Sequence, residues 1–114
     1  MRGSLGDSAR INHILDAIFE IENYIFGISF EDFSTNSMMV YACIKQLEIV
    51  GEAANHRSES ITSKYQNVEW KQIIGLRNVL VHEYFGVDVN VVWDVIHYDL
   101  PQFKSSVLII QGEI

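Results

Sequence analysis

Cysteine, proline and positive charge are all scarce in this chain. The one cysteine among 114 residues, Cys43, excludes an internal disulfide framework and fits a reducing compartment. It equally excludes an internal four-ligand, cysteine-rich zinc site. A single proline and seven glycines disfavour a turn-rich β-sandwich and suit long helices. No apolar run approaches the ~20 residues of a membrane span, and none has the character of a signal peptide. A soluble, cytoplasmic chain with no membrane partner is therefore expected. Eight Lys and Arg stand against fifteen Asp and Glu, a net charge of -7. That balance argues against a protein that coats a duplex, because such binding rests on neutralising phosphates. It leaves room for one small cationic pocket. A Walker loop, a Gly-rich dinucleotide fingerprint and paired Glu-x-x-His motifs are missing as well, so no metal and no cofactor are expected.

What is present is ordinary globular composition, 48% hydrophobic and 20% charged, in a length that makes one domain over residues 1–114. Residues 1–6 read as a disordered leader. From Ser8 to about Phe26, the residues Ile11, Ile14, Leu15, Ile18, Phe19, Ile21 and Ile25 recur at helical spacing, with Asp7 or Ser8 as cap and Gly27 as terminator. A connector carrying Phe30 and Phe33 follows. Thr35 or Ser37 opens a second helix to about Arg57, striped by Val40, Ile44, Leu47, Gly51 and Ala54. Residues 58–67 are polar and turn-like, anchored by Ile61 and Tyr65. A third helix begins at Val68 or Glu69 and runs to about His82. Beyond Asp88 the helical period returns through Val92, Trp93, Ile96, Leu100, Phe103, Val107 and Ile110, with a break or kink expected near Asp99 because Pro101 lacks a backbone donor. The fold class is all-α, an antiparallel bundle of four to five helices.

Several reactive residue types have bland readings. Cys43 is best read as a buried, inert thiol, because no cationic neighbourhood is visible. Glu48 and Glu52, four apart, could be an acid–base couple, but an ion-paired surface face is the simpler account. His13, His56 and His97 stand alone among surface residues.

The segment from Arg77 to Gly86 differs. It gathers a guanidinium (Arg77), an amide (Asn78), an imidazole (His82) and a phenol (Tyr84) at one helix end within apolar sequence. Arginine fits a phosphate bidentately. Histidine near neutral pH can take a proton from a ribose 2′-hydroxyl or deliver one to a leaving 5′-oxygen. Asn78 can add a hydrogen bond to the charge growing on the phosphate. On spacing alone, an Arg and a His here could equally complement a helix dipole. On an unbroken helix Arg77 and His82 lie about 140° apart, so they cannot close on one phosphate. Either the helix unwinds near His82 or a second copy supplies the missing partner. A homodimer with the site at or beside its interface is expected.

Arg77 to Tyr84 resembles the Arg-x4-His-x-Tyr signature of HEPN-domain proteins of the HepT type. The resemblance extends to the block from Gln46 to Ala54, to Trp70, to the run from Val81 to Val87, and to Trp93 with Asp99-Leu100-Pro101. About 100 residues are covered, although Gln66-Asn67 stands where the family often has a proline. The resemblance implies a small, dimeric, HEPN-like helical bundle that cleaves RNA without metal, with Arg77, His82 and Asn78 at the site. It implies a toxin of a toxin–antitoxin pair, silenced by a minimal nucleotidyltransferase antitoxin that transfers AMP to Tyr84. The acidic composition favours an RNA recognised at one local site, such as a tRNA or mRNA loop. The alternative is a catalytically silent helical module that binds a nucleotide or the nucleotidyltransferase.

Overall fold

In a computed structural model of the protein, residues 2–75 and 88–114 are described, with side chains from residue 6 onward. Among the described residues the regular structure is all helical, with no strand. The elements are α1 (Arg2–Ile25), α2 (Phe30–Ser34), α3 (Ser37–Asn55), α4 (Glu59–Lys64), α5 (residues 70–75), α6 (Val89–Asp94), a π-helical turn (Val95–Asp99) and α7 (Leu100–Glu113). The β-branched run after Asp88 is thus helix, as its failure to alternate requires.

Hydrogen bonds between helices fix the register. Gln46 donates to the Tyr24 hydroxyl at 3.3 Å, and Ser58, just beyond α3, donates to Asp7. Rising numbers in α1 therefore meet falling numbers in α3, and the two helices are antiparallel. Lys104 reaches Glu22 at 2.8 Å and Gln111 reaches Asn12 at 3.1 Å, so α7 is antiparallel to α1 as well. The core between them holds Ile11, Ile14, Leu15, Ile18 and Ile21 from α1, with Cys43, Leu47 and Val50 from α3 and Leu100, Phe103, Val107 and Ile110 from α7. Burying one such aliphatic side chain contributes roughly 1.5–3 kcal/mol. This exceeds the few tenths by which helix propensities differ between most residues, so the apolar stripe decides the helix. Phe19 departs from the expected stripe. It is 42% exposed, with the Lys104 ammonium 5.2 Å above its ring.

Several boundaries shift. α1 starts at Arg2, so the turns ahead of Ser8 continue the helix, and Asp7 is an interior position instead of a cap. Its carboxylate, in a residue only 5% exposed, accepts from the Ser58 backbone N–H at 2.8 Å and from Ser58 Oγ at 2.5 Å. Gly27 does end α1, at φ 71°, the left-handed conformation glycine adopts most readily. α3 is capped by Asn36, whose side chain accepts from the Met39 N–H at 3.1 Å. This cap stands between the two residues expected to open the helix. The stretches read as connector and turn each contain a short capped helix, α2 behind Ser29 and α4 behind Ser58.

Near Pro101, where a break or kink was expected, the chain forms a π-helical turn ending at Asp99. The Leu100 N–H bonds to the Val95 carbonyl, one residue wider than an α-turn. The widening absorbs the missing proline donor, and the helical path runs on from Val89 to Glu113. No helix among the described residues is long and apolar enough to cross a membrane.

Candidate functional site

Arg77, Asn78, His82 and Tyr84 all fall within residues 76–87 and lie outside the described residues. The structure does, however, describe how the chain is held on both sides of that segment.

Upstream, α5 is anchored by Trp70. Its indole N–H donates to the Tyr65 carbonyl at 3.1 Å, and its ring meets Phe103 of α7 edge-on at 5.8 Å. The Arg57 guanidinium lies over the Trp70 ring, 4.8 Å from its centroid, and donates to the Ala54 carbonyl at 3.0 Å. Burial pushes the Arg57 pKa below its ordinary value, and its Nε is buried without a hydrogen-bond partner. Tyr65, which caps α4, donates its hydroxyl to the Glu113 carboxylate. That bond, then burial and the carboxylate's charge, raise the phenol to about 12. A small polar cleft of about 100 Å³ opens between this region and α7, lined by Asn67, Gln72, Gln102 and Ser106 among others.

Downstream, Asp88 caps α6 by accepting from the Asn90 N–H at 2.9 Å. Trp93 packs against Phe30 (ring centroids 5.5 Å apart) and Phe33 (5.2 Å), while the His97 ring lies over it at 4.0 Å. The resemblance-bearing tryptophans thus serve as packing anchors, one on each side of the polar segment.

Outside the motif, the bland readings largely stand. Cys43 is fully buried, and burial pushes its thiol up to about 11. Glu48 lies 3.9 Å from Lys45. Glu52 pairs instead with His56, Oε1 to Nε2 at 2.9 Å. The two glutamates thus have different partners among the described residues. One grouping was missed by treating the histidines singly. Arg10 and His13 of α1 face Glu52 and His56 of α3 across a cleft of about 170 Å³, floored by Ile49 and Ala53. The spacings i,i+3 and i,i+4 put each pair on one helix face. Their convergence depends on the antiparallel register, which a single helix does not reveal.

The chain matches the Ribonuclease HepT-like family over residues 14–110, a stretch that takes in both anchors and the whole polar segment. It is 37% identical over 97 residues to "Putative RNase MJ1380" of Methanocaldococcus jannaschii, covering 85% of this chain and 89% of that one. It is 36% identical to "Putative RNase TTE0752" of Caldanaerobacter subterraneus, over 85% of this chain and 87% of the other. With "Probable ribonuclease HepT" of Thermococcus cleftensis the identity is 35%, over 84% and 87%. No solved structure matches. The extent of the family match, with three relatives aligned over nearly their full length, makes this chain a member of the ribonuclease HepT-like family.

Proposed function

We propose that the protein is an RNA endonuclease, the toxin of a toxin–antitoxin pair, acting as a homodimer through Arg77, Asn78 and His82. The observation that carries this reading is the family match, whose span contains the complete Arg-x4-His-x-Tyr segment. In the proposed reaction the ribose 2′-oxygen attacks the adjacent phosphorus and the bond to the 5′-oxygen breaks. An imidazole takes the 2′ proton and a proton is delivered to the departing 5′-oxygen, leaving a 2′,3′-cyclic phosphate and a 5′-hydroxyl. Arg77 holds the non-bridging oxygens bidentately, and Asn78 donates to the charge that grows on them. His82 performs one of these two proton transfers. The chemistry needs no metal.

Control would come from a minimal nucleotidyltransferase antitoxin. The Tyr84 oxygen attacks the α-phosphorus of ATP, pyrophosphate leaves and the phenol proton is lost. The resulting adenylyl group puts an anionic phosphate and a base beside Arg77 and His82, where the RNA would bind. A cytoplasmic tRNA or mRNA is the substrate class.

His82→Ala should lower RNA cleavage by at least ~100-fold, the usual scale for losing a general acid or base, while leaving helicity unchanged by circular dichroism. Wild-type products should carry 2′,3′-cyclic phosphate, and cleavage should survive chelator. Undiminished cleavage by His82→Ala, or 5′-phosphate products with a magnesium requirement, would refute the mechanism and favour the silent binding module. Intact-mass measurement with ATP and the antitoxin should show one added AMP, absent in Tyr84→Phe.

A further inference from the structure

The α1–α3 cleft carries polar side chains that the proposed reaction does not use. Cations are few in this chain, and most of those described are already engaged. Lys45 pairs with Glu48, Lys104 with Glu22, Arg57 covers Trp70, and Lys64 lies over Tyr65. Arg10 is half-buried beside the cleft, yet it makes no hydrogen bond or ion pair among the described residues, and neither does His13 one turn further along. An uncommitted guanidinium and an uncommitted imidazole therefore line the same hollow. The far wall is His56 and Glu52, paired at 2.9 Å, so the Arg10 guanidinium faces one carboxylate across the hollow. Among the described residues no three His, Cys, Asp or Glu side chains gather as they would to hold a metal ion, which disfavours a cation as occupant. The contiguous groove past His13 turns acidic, with Asp16 and Glu20 along its side. A polyanion could therefore touch this surface only at the Arg10 end.

We infer that Arg10 and His13 hold one backbone phosphate of the RNA in the α1–α3 cleft. This rests on the proposed ribonuclease reading for the identity of the ligand. Arginine's fork grips a phosphate bidentately, and the imidazole N–H adds a third donor. One such contact suits an acidic protein that engages RNA locally.

The test is direct binding of a fluorescein-labelled, mixed-sequence 2′-O-methyl RNA 12-mer, which keeps its phosphates but has no 2′-hydroxyl to attack. Against the full-length wild type, the Arg10→Gln/His13→Gln double variant should bind about tenfold more weakly. The slope of log affinity against log salt should flatten by about 0.7, the value for one single-strand phosphate contact. Arg10→Lys should recover part of the loss, and Lys64→Gln, which removes an equal charge elsewhere, should change neither quantity. Affinity and slope unchanged in the double variant, or an equal loss in Lys64→Gln, would overturn the inference. Cleavage of unmodified RNA, assayed separately, keeps the two readings apart. Cleavage by wild type with unchanged binding in the double variant removes the anchor alone. Weakened binding without wild-type cleavage keeps the anchor and removes the nuclease.

Discussion

Asp7 illustrates how a residue's role can pass from local to tertiary. Its type and position at the start of an apolar period fit a helix cap, yet its carboxylate bonds twice to Ser58, 51 residues away. Hydrogen bonds to a charged group contribute about 1.5–3 kcal/mol each where the group is buried. Asp7→Ala should therefore lower unfolding free energy by about 3 kcal/mol or more in urea denaturation, and a loss below about 0.5 kcal/mol would contradict the tie. Cys43 kept the role its surroundings in sequence suggested. With its thiol raised to about 11 by burial, only about one molecule in ten thousand is thiolate at pH 7, and the thiolate is the reactive form. The native protein should resist a disulfide reagent at neutral pH, and guanidinium should expose one reactive thiol. Because the folded thiol holds its proton to higher pH than the unfolded one, the unfolded chain loses that proton first. Stability contributed this way is complete below about pH 9 and is lost as pH rises towards 11. Cys43→Ala should flatten that part of the stability profile.

At the scale of elements, long helices were readable and short ones were not. α1 and α3 carry enough turns for a stripe to repeat, whereas α2 and α4 have five and six residues, too few for a period to emerge. Their serine caps were the remaining local signal, and serine is as common in turns. Pro101 was read as a break or kink near Asp99 because an α-turn cannot lose that donor cheaply. The wider turn at Val95–Asp99 was a solution that single-residue rules do not anticipate. Two glycines separate backbone demand from simple space, since an added Cβ would meet nothing within 4 Å at either Gly27 or Gly112. Gly27 has φ 71° and Gly112 lies in the last turn of α7. Gly27→Ala should cost about 1–2 kcal/mol for the left-handed conformation. Gly112→Ala should be neutral or stabilising by up to about 1 kcal/mol. Thermal melts of the two variants should move in opposite directions, and a parallel shift would show that φ is not what Gly27 supplies.

For the molecule as a whole, what the sequence disclosed about the site was its chemistry, and what it withheld was convergence. Arg77, Asn78, His82 and Tyr84 stand within eight residues, so their types and order could be read together. Arg10 and His56 are separated by most of two helices and meet only because α1 and α3 run antiparallel, a fact absent from either segment alone. The same limit governs the motif's own geometry. A regular helix points Arg77 and His82 about 140° apart, so a shared phosphate requires either local unwinding or a dyad. Mixed oligomers distinguish these. Arg77→Ala and His82→Ala homodimers, each inactive, are combined, unfolded and refolded together so that half the dimers are mixed. If each site takes its guanidinium from one subunit and its imidazole from the other, a mixed dimer has one intact site and one doubly defective site. RNA cleavage should then return to about a quarter of wild type, because half the dimers carry half the sites. A site completed within one subunit has no intact copy in any mixture, and activity would stay at the level of the separate variants.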